Sequence, residues 1–196
     1  MHPAVFEAFD RICRERGACG RVLEVGALPN DDALLNLPAL ARASEKVGLN
    51  LTRGGRHRDF EVRVGSGHAI DFPDASFDVV LSNATLEHDP EFWKTMAEMK
   101  RVTRGGGAIV IGVPAFGSPD AERRARRLIH RIPPLRRRWG AIAAVSTITY
   151  HLHDFPGDYY RFSEQAVAQV LLGGLDDVRV ESVLLPPRLI GSGIRG

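Results

Sequence analysis

Several features are scarce in this chain of 196 residues. No apolar stretch approaches the roughly 18 to 20 residues that a membrane span requires, so no transmembrane segment is expected. The opening Met1-His2-Pro3-Ala4-Val5-Phe6-Glu7 lacks a basic region followed by a long apolar core, so no secretory signal is expected either. Cysteine is limited to Cys13 and Cys19, with no second pair downstream. Nothing there suggests a disulfide framework or a zinc site, and two reduced thiols suit a cytoplasmic protein. Lysine is almost absent: of 26 basic residues, only Lys46, Lys94 and Lys100 are not arginine. The Gly-x-Gly-x-x-Gly fingerprint of nicotinamide-dependent hydride transfer is missing after the first apolar strand-like run, which argues against a dehydrogenase.

What is present suits one globular domain covering residues 1–196, with 44% hydrophobic and 26% charged residues. Residues 3 to about 16 carry Val5, Phe6, Phe9, Ile12 and Cys13 at helical spacing, and Pro3 suits a first turn. Arg21-Val22-Leu23-Glu24-Val25-Gly26 reads as a buried strand, followed by a helix-like stretch over about 33–42. Further strands are predicted at 46–51, 60–64, 77–82 and 108–113. Pro90 opens a predicted helix through about Val102, which Gly105-Gly106-Gly107 stops. Ser163 caps a predicted helix bearing Ala166, Val167 and Val170; a sixth strand spans 177–185, and the glycine-rich tail gives a weak seventh. Strands alternating with helices predict an α/β Rossmann-like sandwich of three layers around a mostly parallel sheet, with residues 114–162 inserted after strand five.

In an open parallel sheet, ligands bind beyond the carboxyl ends of the strands, where strand order reverses. The residues just after the first four strands should therefore gather around one ligand. Their order resembles the methyltransferase-11-like branch of class I S-adenosylmethionine-dependent methyltransferases. The resemblance rests on Arg21-Val22-Leu23-Glu24-Val25-Gly26, Asp71-Phe72-Pro73-Asp74-Ala75-Ser76-Phe77-Asp78-Val79-Val80, Leu86-Glu87-His88 and Arg101-Val102-Thr103-Arg104-Gly105-Gly106-Gly107. It runs through roughly the first 115 residues and resumes near Asp158. By that resemblance S-adenosylmethionine is the cofactor and S-adenosylhomocysteine the co-product. Glu24 looks like the acid that organises the methionine-binding loop, and Gly26 lets the backbone approach the cofactor. Asn50 stands where an acidic residue usually accepts the ribose hydroxyls. Asp71, flanked by Ala69 and Ile70, looks like the adenine-amine acceptor, and Ser82 and Asn83 line the methyl-donor end. Two departures stand out: Gly26 is followed by Ala27-Leu28-Pro29-Asn30 instead of further glycines, and Asn50 carries no charge.

The insertion is where an acceptor pocket would be built, since loops at that edge overhang the cofactor. Tyr150-His151-Leu152-His153-Asp154-Phe155-Pro156-Gly157-Asp158-Tyr159-Tyr160-Arg161-Phe162-Ser163 resembles a segment of methyltransferases found with sugar and polysaccharide biosynthesis. That likeness implies O-methylation of a sugar, oligosaccharide or glycoconjugate, a mannoside among them. His153 is then the general base, because an imidazole titrates near neutrality. His151 and His88 are alternative bases, and Asp154, Asp158, Tyr159 and Tyr160 are candidate acceptor contacts. The bland reading keeps Arg161 as the partner of Asp158 and the aromatic rings as packing. No spacing marks a metal site, although Asp154, Asp158 and Glu87 are carboxylates that a divalent cation would accept.

Strand four ends in Ser82-Asn83-Ala84-Thr85, unlike the Asn/Asp-Pro-Pro-Tyr/Phe arrangement of exocyclic-amine methylation, and no cysteine lies near strands four or five to serve as a C5-pyrimidine nucleophile. Eight arginines crowd the sixteen positions from Arg123 to Arg138, on an amphipathic pattern that Pro133-Pro134 interrupts. A solvated lid helix is the simplest account of residues 119–139, with peripheral contact to an anionic membrane as the sharper one. Nucleic acid is not the expected partner, since no recognised binding module accompanies the arginines. A homodimer stays open, as do two other functions: a non-catalytic binding protein of the same fold, and an RNA methyltransferase using the basic insertion.

Overall fold

The run Val22-Leu23-Glu24-Val25 is buried without a break, as a strand covered on both faces must be. The structure, a computed structural model, describes residues 1–116, 157–184 and 187–196. Strand β1 (Gly20–Val25) lies in the middle of a single eight-stranded sheet. It pairs in parallel with β2 (Ala43–Asn50) on one side and β5 (Phe77–Asn83) on the other. Strand β4 (Phe60–Val64) continues outward from β2, and β6 (Thr103–Pro114) from β5, both in parallel. The edges are antiparallel: β3 (Gly55–His57) on β4, and β8 (Arg188–Ile194) on β6 with β7 (Asp176–Val183) outermost. The order is β3-β4-β2-β1-β5-β6-β8-β7.

Alternate residues of each central strand feed two separate cores. Helix α1 (Pro3–Glu15) packs Val5, Phe9, Ile12 and Cys13 against Val22, Val79, Leu81, Val110 and Ile190. On the opposite face, helix α2 (Phe92–Val102) packs Met96, Met99 and Val102 against Leu23, Val80, Ile109 and Ile111. The second core is completed by a short helical segment, Glu164–Ala166, which runs into a π turn, Val167–Leu171. Among the described residues no helix is long and apolar enough to cross a membrane.

The three-layer Rossmann-like expectation holds, with local corrections. The helix expected over 33–42 is instead two 3-10 turns, Leu34–Asn36 and Pro38–Leu40. The cause is Pro38, whose ring pushes the preceding residue out of the helical region; Leu37 sits at ψ 131°. Apolar spacing is satisfied regardless, because Leu34, Leu35, Leu37 and Leu40 are all buried. Helix α2 starts at Phe92 instead of Pro90, and the helix after Ser163 keeps three α-helical residues before the π turn, leaving Val170 60% exposed. Strand β3 is not legible in its sequence. The weak tail strand is a full one: Gly191 leaves room for Val167, whose Cγ1 a Cβ there would meet at 2.6 Å. The glycine that lowers the strand signal is thus what admits the neighbouring helical segment.

Candidate functional site

Because β1 is flanked by β2 on one side and β5 on the other, the chain order reverses between β1 and β5. A crevice opens at that point in any such sheet. Here it holds a cavity of about 470 Å³, lined by Glu24 and Gly26 at the end of β1, Asn83 and Ala84 at the end of β5, and Arg188 at the start of β8. Met1, His2 and Val5 close it from the α1 side, and Leu28, Asn30, Asp32 and Ala33 from the loop after β1.

Glu24 is 5% exposed, and its Oε2 accepts the Leu35 amide at 3.1 Å. Burial pushes its carboxyl up to about 7, and the amides of Leu34 and Leu35 hold it below what burial alone would produce. The carboxylate thus caps the first 3-10 turn, doing for the loop after β1 what a helix N-cap does elsewhere. Gly26 sits at φ +89°, and a Cβ there would lie 1.9 Å from Thr85 Oγ1. Left-handed backbone and a direct clash act together, so Gly26→Ala is expected to cost about 2–4 kcal/mol. Urea unfolding with an unchanged m-value is the measurement that checks it.

At the end of β5, Ser82 Oγ and Asn83 Oδ1 are buried with no hydrogen-bond partner among the described residues, and of the two Asn83 lines the cavity. The next residue, Ala84, is held at φ +53°, its amide donating to Gly112 O at 2.9 Å. Orphaned buried oxygens beside a strained backbone are costly, and such costs concentrate where a ligand supplies the missing partner.

The residues expected around a nucleoside lie to the other side of β1. Asn50 Nδ2 donates to Ala27 O at 2.9 Å, while its Oδ1 accepts the amides of Thr52 at 3.1 Å and Arg53 at 3.0 Å. Asn50 therefore ties the loop after β1 to the turn after β2, and its oxygen is already engaged twice. After β4, Ala69 and Asp71 are exposed and Ile70 is buried. Glu98 and Arg101 of α2 clamp this loop through Ile70 N (2.8 Å) and Ile70 O (2.8 Å). Arg101 holds the Glu98 carboxyl below its ordinary range. The clamp grips backbone and leaves the Asp71 carboxylate facing solvent.

The turn Leu86–His88 after β5 anchors the chain where it returns from the insertion. Glu87 O accepts the amides of Tyr159 at 2.8 Å and Tyr160 at 3.3 Å, and His88 Nδ1 bonds the carbonyl of Gly157. A carbonyl only accepts, so this contact fixes the His88 proton on Nδ1. The Asp158 side chain is 1% exposed and meets Arg161 as a bidentate pair, Nη2 to Oδ2 at 2.5 Å. The Tyr160 ring packs on Phe92 with centroids 5.0 Å apart, and its hydroxyl donates to Pro90 O at 2.9 Å. Tyr159 is 55% exposed. The structure thus seats Asp158, Tyr160 and His88 in the anchor and presents Tyr159 to solvent. His151, His153, Asp154 and the arginine-rich segment 119–139 lie outside the described residues. Among the described residues no group of three or more histidine, cysteine, aspartate or glutamate side chains could hold a metal ion.

Two participants escaped sequence reasoning. Thr85, which packs against Gly26, had no motif of its own, and Arg188, which lines the cavity, stood behind Pro186-Pro187 in a weak strand.

Comparison with known proteins bears on the fold. Residues 33–111 match the methyltransferase-11 family model, described as a methyltransferase domain. An uncharacterized methyltransferase of Mycobacterium sp. (strain KMS) is 35% identical over 104 residues, covering 50% of this chain and 40% of the relative. The 27-O-demethylrifamycin SV methyltransferase of Amycolatopsis mediterranei (strain S699) is 32% identical over 88 residues, covering 43% of this chain and 29% of the relative. The chain thus spans less than half the length of these curated relatives. Among solved structures, the Burkholderia thailandensis 1,6-didemethyltoxoflavin-N1-methyltransferase, with 1,6-didemethyltoxoflavin and S-adenosylhomocysteine bound, superimposes with a TM-score of 0.64 at 16% identity. That match covers 98% of this chain and 78% of the other. A SAM-dependent methyltransferase from Thermotoga maritima gives 0.62 at 13% identity, over 98% and 90% of the two chains. The fold is that of class I methyltransferases.

Proposed function

We propose that this chain is an S-adenosylmethionine-dependent methyltransferase whose cofactor lies across the carboxyl ends of β1, β2, β4 and β5. The observation that carries this reading is the unpartnered, buried Asn83 Oδ1, which lines the same cavity as Glu24 at the crevice between β1 and β5. These groups fit the polar end of such a cofactor. Glu24, Gly26, Ser82 and Asn83 would hold the methionine end, and Asn50, Ala69, Ile70 and Asp71 the nucleoside. Bound there, the cofactor supplies an electrophilic methyl group on a sulfonium. The chain's own contribution is to orient that end, keep water out and, for a hydroxyl acceptor, remove a proton.

For the acceptor the proposal is a hydroxyl of a sugar, oligosaccharide or glycoconjugate, with His153 as the base. Support comes from the resemblance of residues 150–163 to sugar-linked methyltransferases, and from Tyr159, whose exposed ring stands next to the Glu87 turn at the end of β5. The Amycolatopsis relative is named for methylation at an oxygen. A second reading, a binding protein of this fold without turnover, is favoured by Asn50, whose oxygen is already taken by two backbone amides.

Calorimetric titration with S-adenosylhomocysteine separates the possibilities. Stoichiometric binding that falls at least roughly tenfold in Asp71→Ala is expected, as for loss of a hydrogen bond to a charged group. Binding by the wild type without methyl transfer to any hydroxylated acceptor would favour the second reading. No binding by folded wild-type protein would remove the cofactor from the proposal.

A further inference from the structure

Arg188 has no role in the cofactor reading as it stands. It opens β8, opposite Pro114 at the end of β6, and lines the cavity that Glu24 and Asn83 also line. Its side chain is 22% exposed. The polar contact of its side chain among the described residues is Nη2 to Glu87 Oε1 at 3.5 Å, longer than the roughly 2.7–2.9 Å of a well-formed charged hydrogen bond. A guanidinium carries five donors, so most of its capacity is unused among the described residues.

The charges around it select the kind of ligand. Among the residues that line the cavity, Asp32 meets the Met1 ammonium, and Glu24 is the remaining acid set against Arg188, which has Glu87 beside it. The cavity therefore holds no surplus positive charge to attract a lone anion. What it offers is separated polarity, with the Glu24 carboxyl and the Asn83 amide oxygen on one wall and the Arg188 guanidinium on another. A neutral group with its own separated charges fits such a cavity, and an α-amino acid group has that pattern.

We propose that Arg188 binds the carboxylate of the cofactor's α-amino acid end, with the ammonium turned toward Glu24 and Asn83. This rests on the cofactor reading above. It adds a specificity determinant contributed by the last strand in chain order, far in sequence from the cofactor motifs. A nucleoside thioether without the amino acid end would gain nothing from it.

Calorimetry with two probes tests the assignment: S-adenosylhomocysteine, which carries the amino acid end, and 5′-methylthioadenosine, which lacks it. Wild-type protein should prefer S-adenosylhomocysteine. Arg188→Gln should weaken that ligand roughly 10- to 100-fold, the value of a charge-assisted contact, and leave 5′-methylthioadenosine unchanged. Arg188→Lys, which keeps the charge beside Glu87 and so protects the fold, should fall in between. Equal losses for both probes, or no loss for either, would overturn the role of Arg188. So would wild-type protein that binds both probes equally well, although the cofactor reading would then survive. Wild-type protein that binds neither would instead remove the cofactor reading on which this inference rests.

Discussion

Glu24→Gln is expected to yield a protein more stable than its parent at about pH 8 that binds S-adenosylhomocysteine at least roughly tenfold more weakly, since a contact to a charged group is lost. The stability half follows from burial. The folded carboxyl titrates at about 7, against an ordinary value of 4.5. Between those two values the native state keeps a proton that the unfolded chain has released. Stability contributed by Glu24 is therefore fully present below the lower value, falls as pH rises through the window, and levels off above about 7. A gap of about 2.5 units corresponds to about 3 kcal/mol. Glutamine can still accept the Leu35 amide and has no charge to desolvate, so variant and parent should diverge as pH rises. Urea unfolding at about pH 5 and about pH 8 measures the divergence, and a constant difference would show that Glu24 does not titrate in this range.

Asp158→Ala should destabilise by about 3–5 kcal/mol, the usual effect of removing one member of a buried ion pair. The pair is well placed for this, since Asp158 is 1% and Arg161 10% exposed and the two meet through both carboxylate oxygens. Arg161 is held charged by Asp158, and Glu87 acts on it in the same direction. The double variant Asp158→Leu/Arg161→Met should recover most of the loss, because apolar side chains of similar size remove both charges from the interior. A double variant no more stable than Asp158→Ala would instead place the cost in the backbone around Glu87, Tyr159 and Tyr160. Chemical denaturation of the three proteins decides between the two accounts.

Much of the sheet was legible because central strands are buried on both faces and so read as largely apolar runs: Val22 to Val25 (broken only by Glu24), Val79 to Leu81 and Ala108 to Val113. The edge proposed for the cofactor could be read for a related reason. Parallel strands deliver their carboxyl-terminal residues to one edge, so Glu24, Asn50, Asp71 and Asn83 could be grouped before any distance was known. The helix over 33–42 misled because leucine spacing reports which side is buried, whereas Pro38 governs backbone shape. Strand β3 has three residues, all at least partly exposed, and so no apolar pattern to read.

By itself, then, the order of apolar runs and turn residues determined the parallel core of the sheet, the reversal beside β1 and the edge where a ligand belongs. Those follow from local burial and from the handedness of crossovers, both of which act over short stretches of chain. Only the tertiary structure decided that Thr85 fills the space a side chain at Gly26 would need, that Glu87 anchors Tyr159 and Tyr160, and that Arg188 reaches a cavity whose other walls come from residues 1–33 and 83–84. Arg188 and Glu87 are 101 positions apart. Contacts of that range are made by antiparallel strands folding back across the sheet, and no periodicity in either segment records its partner.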